Sequence, residues 1–425
     1  MYDLVIIGSG PAGHTAALEA VKRKYKTALI ERNPEMLGGV CLNEGCIPLK
    51  GLLHFSVHSK NYMEIVEKVM SKVSDLRQGL LGRLKNAGVE IIDGEAKFVS
   101  KNEVDAGGRR IQAKYFLIAA GSSPKRLFEK GSVSTEKIFS LDKIPGSALI
   151  IGGGVIGCEY ATFLSNIGVK VTIIEFLHSI LNGEDEEAVR LLAREFKKKK
   201  INIMTDSNVL EIDGHNVRIR AGETEITEKF DMIFEATGRI PHTAGLGLDS
   251  AGVETDAKGY IVTNEYMQTS NRNIYAAGDC VNTPMLAYTA SKEAETAIAH
   301  LSTEECAPID YTGMPKLVFS NPQLGSVGLS EAKAVEKAVT VKVYKYFFKA
   351  VGKAVIEGRD IGFIKITADA DKQEIIGAVM VGDEISGAIN ELSVIVNNRI
   401  KIADVKKCMH IHPSYSEIII EALNS

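Results

Sequence analysis

Residues 2–13, YDLVIIGSGPAG, form an apolar run that ends in three glycines spaced as GxGxxG: Gly8, Gly10 and Gly13. A helical pattern follows, and the next apolar stretch ends in Glu31. In a strand–turn–helix unit of this kind the first glycine makes the turn and the second lets the backbone approach a pyrophosphate. The third permits close packing of helix on strand, and the acidic residue binds ribose hydroxyls. The stretch therefore predicts a dinucleotide site.

The same pattern occurs again 144 residues further along the chain. SALIIGGGVIG supplies Gly152, Gly154 and Gly157, and the following strand ends in Glu175. In both copies the acidic residue lies 18 positions after the third glycine. A single GxGxxG is often a simple glycine turn, but two matched copies predict an α/β chain with two dinucleotide sites. Glu175 favours NAD in the second site, because a carboxylate repels the 2′-phosphate of NADP.

Composition excludes several classes of function. The chain has 425 residues and a formal charge of −4, and it has no apolar run of the roughly 18 residues that a membrane-spanning helix needs. Its mixed charges give no basic stripe for nucleic acid. The N-terminus lacks the basic segment of a signal peptide, and six cysteines are too few for a disulfide scaffold. We therefore expect a cytoplasmic protein that binds neither nucleic acid nor membrane.

A close pair of cysteines, Cys41 and Cys46, lies in GGVCLNEGCIPLK, residues 38–50. Such a pair can be a zinc site, two buried structural cysteines or a redox disulfide. Zinc normally requires a second pair of cysteines or histidines at similar spacing. We predict no metal site, because the remaining cysteines occur singly: Cys158, Cys280, Cys306 and Cys408.

The residues around the pair favour a redox disulfide, although two structural cysteines stay an alternative. Gly38, Gly39 and Gly45 let the backbone bend so that the two cysteines can meet. Pro48 predicts the first turn of a helix, and a helix N-terminus stabilises a thiolate. A nicotinamide cannot pass a hydride directly to a disulfide, whereas a flavin converts hydride chemistry to thiol chemistry. We therefore infer FAD in the first dinucleotide site, beside the cysteines.

Seven motifs in a fixed order extend this pattern along the chain: GSGPAG, GGVCLNEGCIPLK, IAAGSSP (118–124), GGGVIGCEY (152–160), ATGRIP (236–241), YAAGDC (275–280) and HIHPSYSE (410–417). With them the sequence resembles the pyridine nucleotide–disulfide oxidoreductases. The resemblance implies an α/β fold with two Rossmann-like domains, for FAD and NAD, and a C-terminal α+β dimerisation domain. It places the FAD domain at 1–142 and 261–311, the NAD domain at 143–260 and the dimerisation domain at 312–425.

The resemblance also assigns cofactor contacts. Those for FAD are Gly8, Gly10, Gly13, Glu31, Lys50, Ala96, Gly121, Ser122, Asp279, Met285, Leu286, Ala287 and Tyr288. Those for NAD are Gly152, Gly154, Gly157, Glu175, Val209 and Gly238.

Catalytic roles follow from the same resemblance. Cys41 would be the interchange thiol and Cys46 the thiol that contacts the flavin. Lys50 would stand by the flavin and pair with Glu159; the alternative is that both are solvated charges on helices. His412, oriented by Glu417, would be the acid–base group and would reach the cysteines of the opposite subunit, which implies a homodimer. The His412–Pro413 bond is cis in relatives.

The implied activity is oxidation of protein-bound dihydrolipoamide with reduction of NAD, a role in cell redox homeostasis. Its partner would be the lipoyl domain of a 2-oxo-acid dehydrogenase or glycine-cleavage complex. The alternatives are an NAD(P)H-dependent reductase of another small disulfide and a flavoprotein binding subunit. Substrate identity is less fixed than the chemistry, because relatives carry a longer connection between Lys50 and Tyr62. Tyr288 and Leu49 also differ from the residues common in relatives, histidine and serine.

Overall fold

The computed structural model describes residues 1–303 and 305–425. The first part of the chain builds a parallel sheet in the order β3-β2-β1-β6 with an antiparallel extension, β6-β5-β4. Its apolar strands are buried on both faces, as a parallel sheet requires. The elements are β1 (Tyr2–Ile7), α1 (Pro11–Lys22), β2 (Thr27–Glu31), α2 (Gly39–Asn43), α3 (Cys46–Ser56), α4 (Tyr62–Asn86), β3 (Glu90–Asp93), β4 (Ala96–Ser100), β5 (Glu103–Ala106), β6 (Arg109–Ile118), β7 (Ser122–Pro124) and β8 (Val133–Ser134).

The second glycine unit builds another parallel sheet, in the order β11-β10-β9-β15-β8, with a separate antiparallel sheet β12-β13-β14 beside it. Its first strand, like β1 of the first sheet, is apolar and buried: all of its residues after Ser147 are buried. The elements are β9 (Ser147–Ile151), α5 (Val155–Asn166), β10 (Lys170–Ile174), α6 (Glu186–Lys198), β11 (Asn202–Met204), β12 (Ser207–Asp213), β13 (Asn216–Ala221), β14 (Thr224–Lys229), β15 (Met232–Glu235), β16 (Arg239–Pro241) and α7 (Leu248–Ala251).

The chain then returns to the first sheet, where β17 pairs with β6, and continues into a five-stranded antiparallel sheet of order β18-β19-β22-β21-β20. Helices α11 and α13 pack on that last sheet. The elements are β17 (Ile274–Ala276), α8 (Ala287–Leu301), β18 (Lys316–Val318), β19 (Gln323–Gly328), α9 (Glu331–Glu336), β20 (Val341–Phe347), α10 (Gly352–Ile356), β21 (Phe363–Asp369), β22 (Glu374–Gly382), α11 (Ser386–Asn397), α12 (Ile402–Val405) and α13 (Glu417–Asn424).

This architecture agrees with the predicted fold class. It has two parallel sheets, each with a glycine motif directly after its first strand, and a C-terminal α+β unit. The domain boundaries given above stay a prediction. Strand β8 lies before residue 142, the predicted end of the first FAD segment, yet it pairs with β15 of the second sheet. Three short 3₁₀ helices complete the described chain: Pro34–Met36, Thr135–Ser140 and Phe348–Ala350. None of the helices in residues 1–303 and 305–425 is long and apolar enough to cross a membrane.

Candidate active site

The first glycine loop has the shape of a phosphate-binding turn. Gly8 adopts a φ of +97°, a conformation that side-chain-bearing residues rarely adopt. A Cβ on Gly13 would lie 1.9 Å from the Gly8 carbonyl oxygen, so helix α1 can approach β1 only with glycine there. A Cβ on Gly10 would meet nothing within 4 Å, which leaves open space above the N-terminus of α1. The loop therefore fits the pyrophosphate of a dinucleotide.

The second glycine loop repeats this geometry. Gly152 has a φ of +111°, and a Cβ on Gly157 would lie 2.0 Å from the Gly152 carbonyl oxygen. A Cβ on Gly154 again meets nothing within 4 Å. Gly238, directly before β16, also has open space around its α-carbon and a φ of +113°. Val209, by contrast, lies on β12 with its side chain packed against an apolar cluster.

The two acidic residues lie at the ends of their strands, as the pattern predicts. Glu31 is buried, and its Oε2 accepts hydrogen bonds from the amide and hydroxyl of Ser9, at 3.1 and 2.5 Å. Glu175 accepts bonds from the amides of Gly153 (2.7 Å) and Leu177 (2.8 Å). Both carboxylates are thus fixed beside their glycine loops, the position at which the pattern predicts the ribose of a dinucleotide.

Other predicted FAD contacts converge on the carboxyl end of the first sheet. Ser122 donates a hydrogen bond from Oγ to Asp279 Oδ2 at 2.6 Å. Gly121, directly before it, has a φ of +72° and open space at its α-carbon. Ala96 is buried at the start of β4. Residues 285–288 lead into helix α8, and Tyr288 donates a hydrogen bond to the carbonyl of Pro315.

The cysteine loop lies directly on the first phosphate loop. A Cβ on Gly39 would lie 2.7 Å from the Gly10 α-carbon. The Gly38 amide donates to Ser9 Oγ at 3.1 Å, and that hydroxyl also donates to Glu31. The cysteine loop and the cofactor loop are therefore one packed unit.

The two cysteines differ sharply in acidity. The hydrogen bond between their thiols, with a smaller contribution from the Lys50 charge, lowers the pKa of Cys46 to about 7. The same hydrogen bond, together with burial, raises the pKa of Cys41. Cys46 is the first residue of helix α3, where the helix dipole also favours an anion. Cys46 is therefore the cysteine of the reduced pair that ionises first, and Cys41 is the one that keeps its proton.

An ion pair between a partly exposed lysine and a buried glutamate stands one helical turn beyond Cys46. Lys50 Nζ lies 2.6 Å from Glu159 Oε2, and the Glu159 side chain is only 1% exposed. The other carboxylate oxygen accepts the amide hydrogen of Phe319 at 3.0 Å, and Lys50 Nζ lies 4.8 Å from the centre of the Phe319 ring. The two residues are thus not independent solvated charges.

His412 and Glu417 form a second pair, at the C-terminus. His412 Nδ1 lies 2.6 Å from Glu417 Oε1, which leaves Nε2 free, and the imidazole is 80% exposed. Burial opposes ionisation of Glu417, but the hydrogen bonds from Ser414 and His412 outweigh it and lower its pKa. His410 differs, because it is nearly buried and bonds to Glu391 at 3.0 Å. The His412–Pro413 peptide bond is cis.

The structure does not bring His412 to the cysteines of its own chain. Among the described residues, the His412 ring bonds to Glu417, and no hydrogen bond or ion pair joins it to Cys41 or Cys46. An exposed imidazole away from its own cysteines fits a site completed by a second subunit.

Sequence reasoning missed two polar groups around the site. Arg239 donates to Ser122 Oγ at 2.7 Å and pairs with Glu136 at 3.3 Å, which ties the two nucleotide units together. Asn43, inside the cysteine loop, is 3% exposed and hydrogen-bonded to Arg77. Arg239 lies in the motif ATGRIP and Asn43 in GGVCLNEGCIPLK, so their place in these motifs could have marked both residues as candidates for the site.

Two family profiles match the chain. The profile described as pyridine nucleotide-disulphide oxidoreductase matches residues 2–294, and its dimerisation domain matches residues 314–423. The chain belongs to the pyridine nucleotide-disulphide oxidoreductase family. It is therefore an oxidoreductase with FAD and NAD as cofactors, and the dimerisation domain supports a homodimer.

Curated relatives within this family share the whole length of the chain. Dihydrolipoyl dehydrogenase of Chlamydia pneumoniae is 34% identical over 444 residues, covering 99% of this chain and 96% of the relative. Dihydrolipoyl dehydrogenase of Staphylococcus aureus is 34% identical over 449 residues, covering 99% and 95%. Both alignments are longer than the 425-residue chain, so the relatives carry additional residues.

Two solved structures have the same fold as this chain. The HOCl-induced flavoprotein disulfide reductase RclA from Escherichia coli superposes with a TM-score of 0.92 at 27% identity, covering 100% of this chain and 99% of that one. LpdA from Mycobacterium tuberculosis has a TM-score of 0.92 at 24% identity, covering 99% and 98%.

Removing the thiol donor should make Cys46 less acidic. We expect the pH midpoint for alkylation of Cys46 in the reduced protein to lie near 7. In Cys41→Ala the midpoint should rise toward the ordinary thiol value of about 8.5. Iodoacetamide rates as a function of pH, with the modified residue located by mass spectrometry, measure this. An unchanged midpoint in Cys41→Ala would show that Lys50 and the helix dipole alone stabilise the thiolate.

Proposed function

We propose that this protein oxidises protein-bound dihydrolipoamide and reduces NAD, with Cys41 and Cys46 as the redox disulfide. The observation that carries the proposal is the packing of the cysteine loop on the first glycine loop, where FAD fits, in a chain similar over its whole length to dihydrolipoyl dehydrogenases. FAD, when bound, supplies a ring that accepts an electron pair from thiols and delivers a hydride to NAD.

The asymmetry of the cysteines supports distinct roles. Cys46, whose anion the Cys41 thiol and Lys50 stabilise, is the thiol that faces the flavin. Cys41 is the thiol that exchanges with substrate. Lys50, held by Glu159, places a positive charge beside the Cys46 thiolate and would hold the same charge near a bound flavin.

We assign the acid–base step to His412 of the partner subunit. Glu417 holds Nδ1 of that ring, so the free Nε2 can take a proton. The imidazole removes the proton of one dihydrolipoyl thiol, and the resulting thiolate attacks Cys41 Sγ. The Cys41–Cys46 bond breaks, and its electron pair leaves on Cys46 as a thiolate.

Ring closure completes the exchange. The second dihydrolipoyl thiol attacks the substrate sulfur of the mixed disulfide, and the bond to Cys41 breaks. The substrate gives up two thiol protons: one is taken up by the Cys41 thiolate and the other stays on His412, because Cys46 remains a thiolate. The substrate has lost two electrons, and the cysteine pair has gained them.

A second candidate is reduction of a different disulfide with NADH. The fold likeness to RclA, a flavoprotein disulfide reductase, supports it, and so does the short connection between α3 and α4, residues 57–61. Both candidates use the same cysteines and differ in the substrate and the direction of electron flow. The first proposal also includes a lipoyl domain as partner, a cytoplasmic location and the domain boundaries given above.

Cys46→Ser should separate the two halves of the reaction. Turnover of dihydrolipoamide with NAD should fall on the order of 1000-fold or more, because the disulfide cannot form. Electron transfer from NADH to ferricyanide should persist, since it needs no cysteine. Steady-state assays of both reactions on the FAD-loaded protein provide the check, with Cys408→Ser, an exposed cysteine elsewhere, as the matched control. Full lipoamide activity in Cys46→Ser would refute the disulfide mechanism.

Mixed dimers test the shared site. Homodimers of Cys41→Ser and of His412→Gln should both be inactive with dihydrolipoamide. A statistical mixture should regain about a quarter of the wild-type activity, because half of the dimers then hold one intact site of two. If His412 served its own chain, every mixed dimer would be inactive.

A further inference from the structure

Helix α4 holds the cysteine loop through Arg77. The guanidinium donates to the Glu35 carbonyl at 2.5 Å and to Asn43 Oδ1 at 3.1 Å. It also lies 3.2 Å from Glu35 Oε2, and its side chain is 21% exposed. The residues on either side of the Gly38–Gly39 turn, Glu35 and Asn43, are therefore both held by the Arg77 side chain.

Asn43 passes this restraint to the turn itself. Its amide nitrogen donates to the carbonyls of Leu37 (3.0 Å) and Gly39 (2.9 Å). Because carbonyls only accept and guanidinium groups only donate, the amide can satisfy all its partners in one orientation only. Asn43 is 3% exposed, so loss of a partner would leave a buried polar atom without its hydrogen bond. Arg77 thus selects the orientation in which Asn43 closes the turn.

We propose that Arg77 is a positioning residue for the redox pair, acting through Asn43 to set the approach of Cys41 to Cys46. The proposal rests on the redox role proposed above for these cysteines. Gly38 and Gly39, both in left-handed conformations, make the turn that Asn43 closes, and Cys41 follows two residues later on α2.

The acidity of Cys46 reports this geometry. Its thiolate depends first on the hydrogen bond from Cys41, so a loosened loop weakens the bond and favours the protonated thiol. The other charged or titratable groups that face Cys46 are Lys50 on α3, Glu159 on α5 and Tyr288 on α8. Asp279 faces Cys41. None of these groups bonds to Arg77 or Asn43 in the described chain, so they stay in place when Arg77 is replaced.

The test compares Arg77→Lys and Arg77→Gln with the wild type and with Arg83→Gln, which removes an exposed arginine from the same helix. Alkylation of Cys46 in the reduced protein is followed against pH by mass spectrometry. The midpoint should rise by about one pH unit in both Arg77 variants, the size of a weakened hydrogen bond to a charged group. It should stay within a few tenths of a unit in Arg83→Gln.

Arg77→Lys is the deciding variant, because it keeps the charge and the fold but cannot donate in two directions from a planar group. A wild-type midpoint in Arg77→Lys would overturn the proposal. An equal rise in Arg83→Gln would also overturn it, because the effect would then be one of net charge. Failure of the proposed function has a different signature: wild-type protein alkylated at Cys46 would still turn over dihydrolipoamide, whatever the Arg77 variants do.

Discussion

The close approach of Gly39 to Gly10 is the constraint on which the site depends. With 2.7 Å between a Cβ at position 39 and the Gly10 α-carbon, no side chain fits at this crossing. Ser9 adds a bridge from the Glu31 carboxylate to the Gly38 amide. The cysteines and the dinucleotide loop therefore cannot shift independently of each other.

A single buried carboxylate joins the remaining units to this centre. Glu159, on the helix that follows the second glycine loop, accepts from Lys50 on the cysteine helix and from the amide of Phe319. A charge that is 1% exposed persists only with such partners, because desolvation penalises it otherwise. Removing either partner would therefore disturb the junction of three structural units as well as the charge beside Cys46.

The residues that could be predicted from the sequence are those carried by local patterns. The glycine loops, Glu31 and Glu175 follow from spacing along one strand–turn–helix unit, and the structure places them at the expected strand ends. The Arg77–Asn43 bond joins residues 34 positions apart, and Arg239 meets Ser122 across 117 positions. Such pairs have no periodicity in the sequence, because tertiary packing alone brings them together. The sheet β12-β13-β14 was not predicted for a different reason: its strands are short, and they lie between the parallel strands β11 and β15 of the second glycine unit.

Anaerobic titration of the FAD-loaded protein with dihydrolipoamide, followed by NAD, tests the central claim most directly. The account predicts a long-wavelength absorption band from the Cys46 thiolate beside the flavin, which disappears on addition of NAD as NADH forms. If dihydrolipoamide produces no band while NADH does, the cysteine relay holds and the substrate is another disulfide. If neither reductant produces the band, Cys41 and Cys46 are not a redox pair, and the account is wrong.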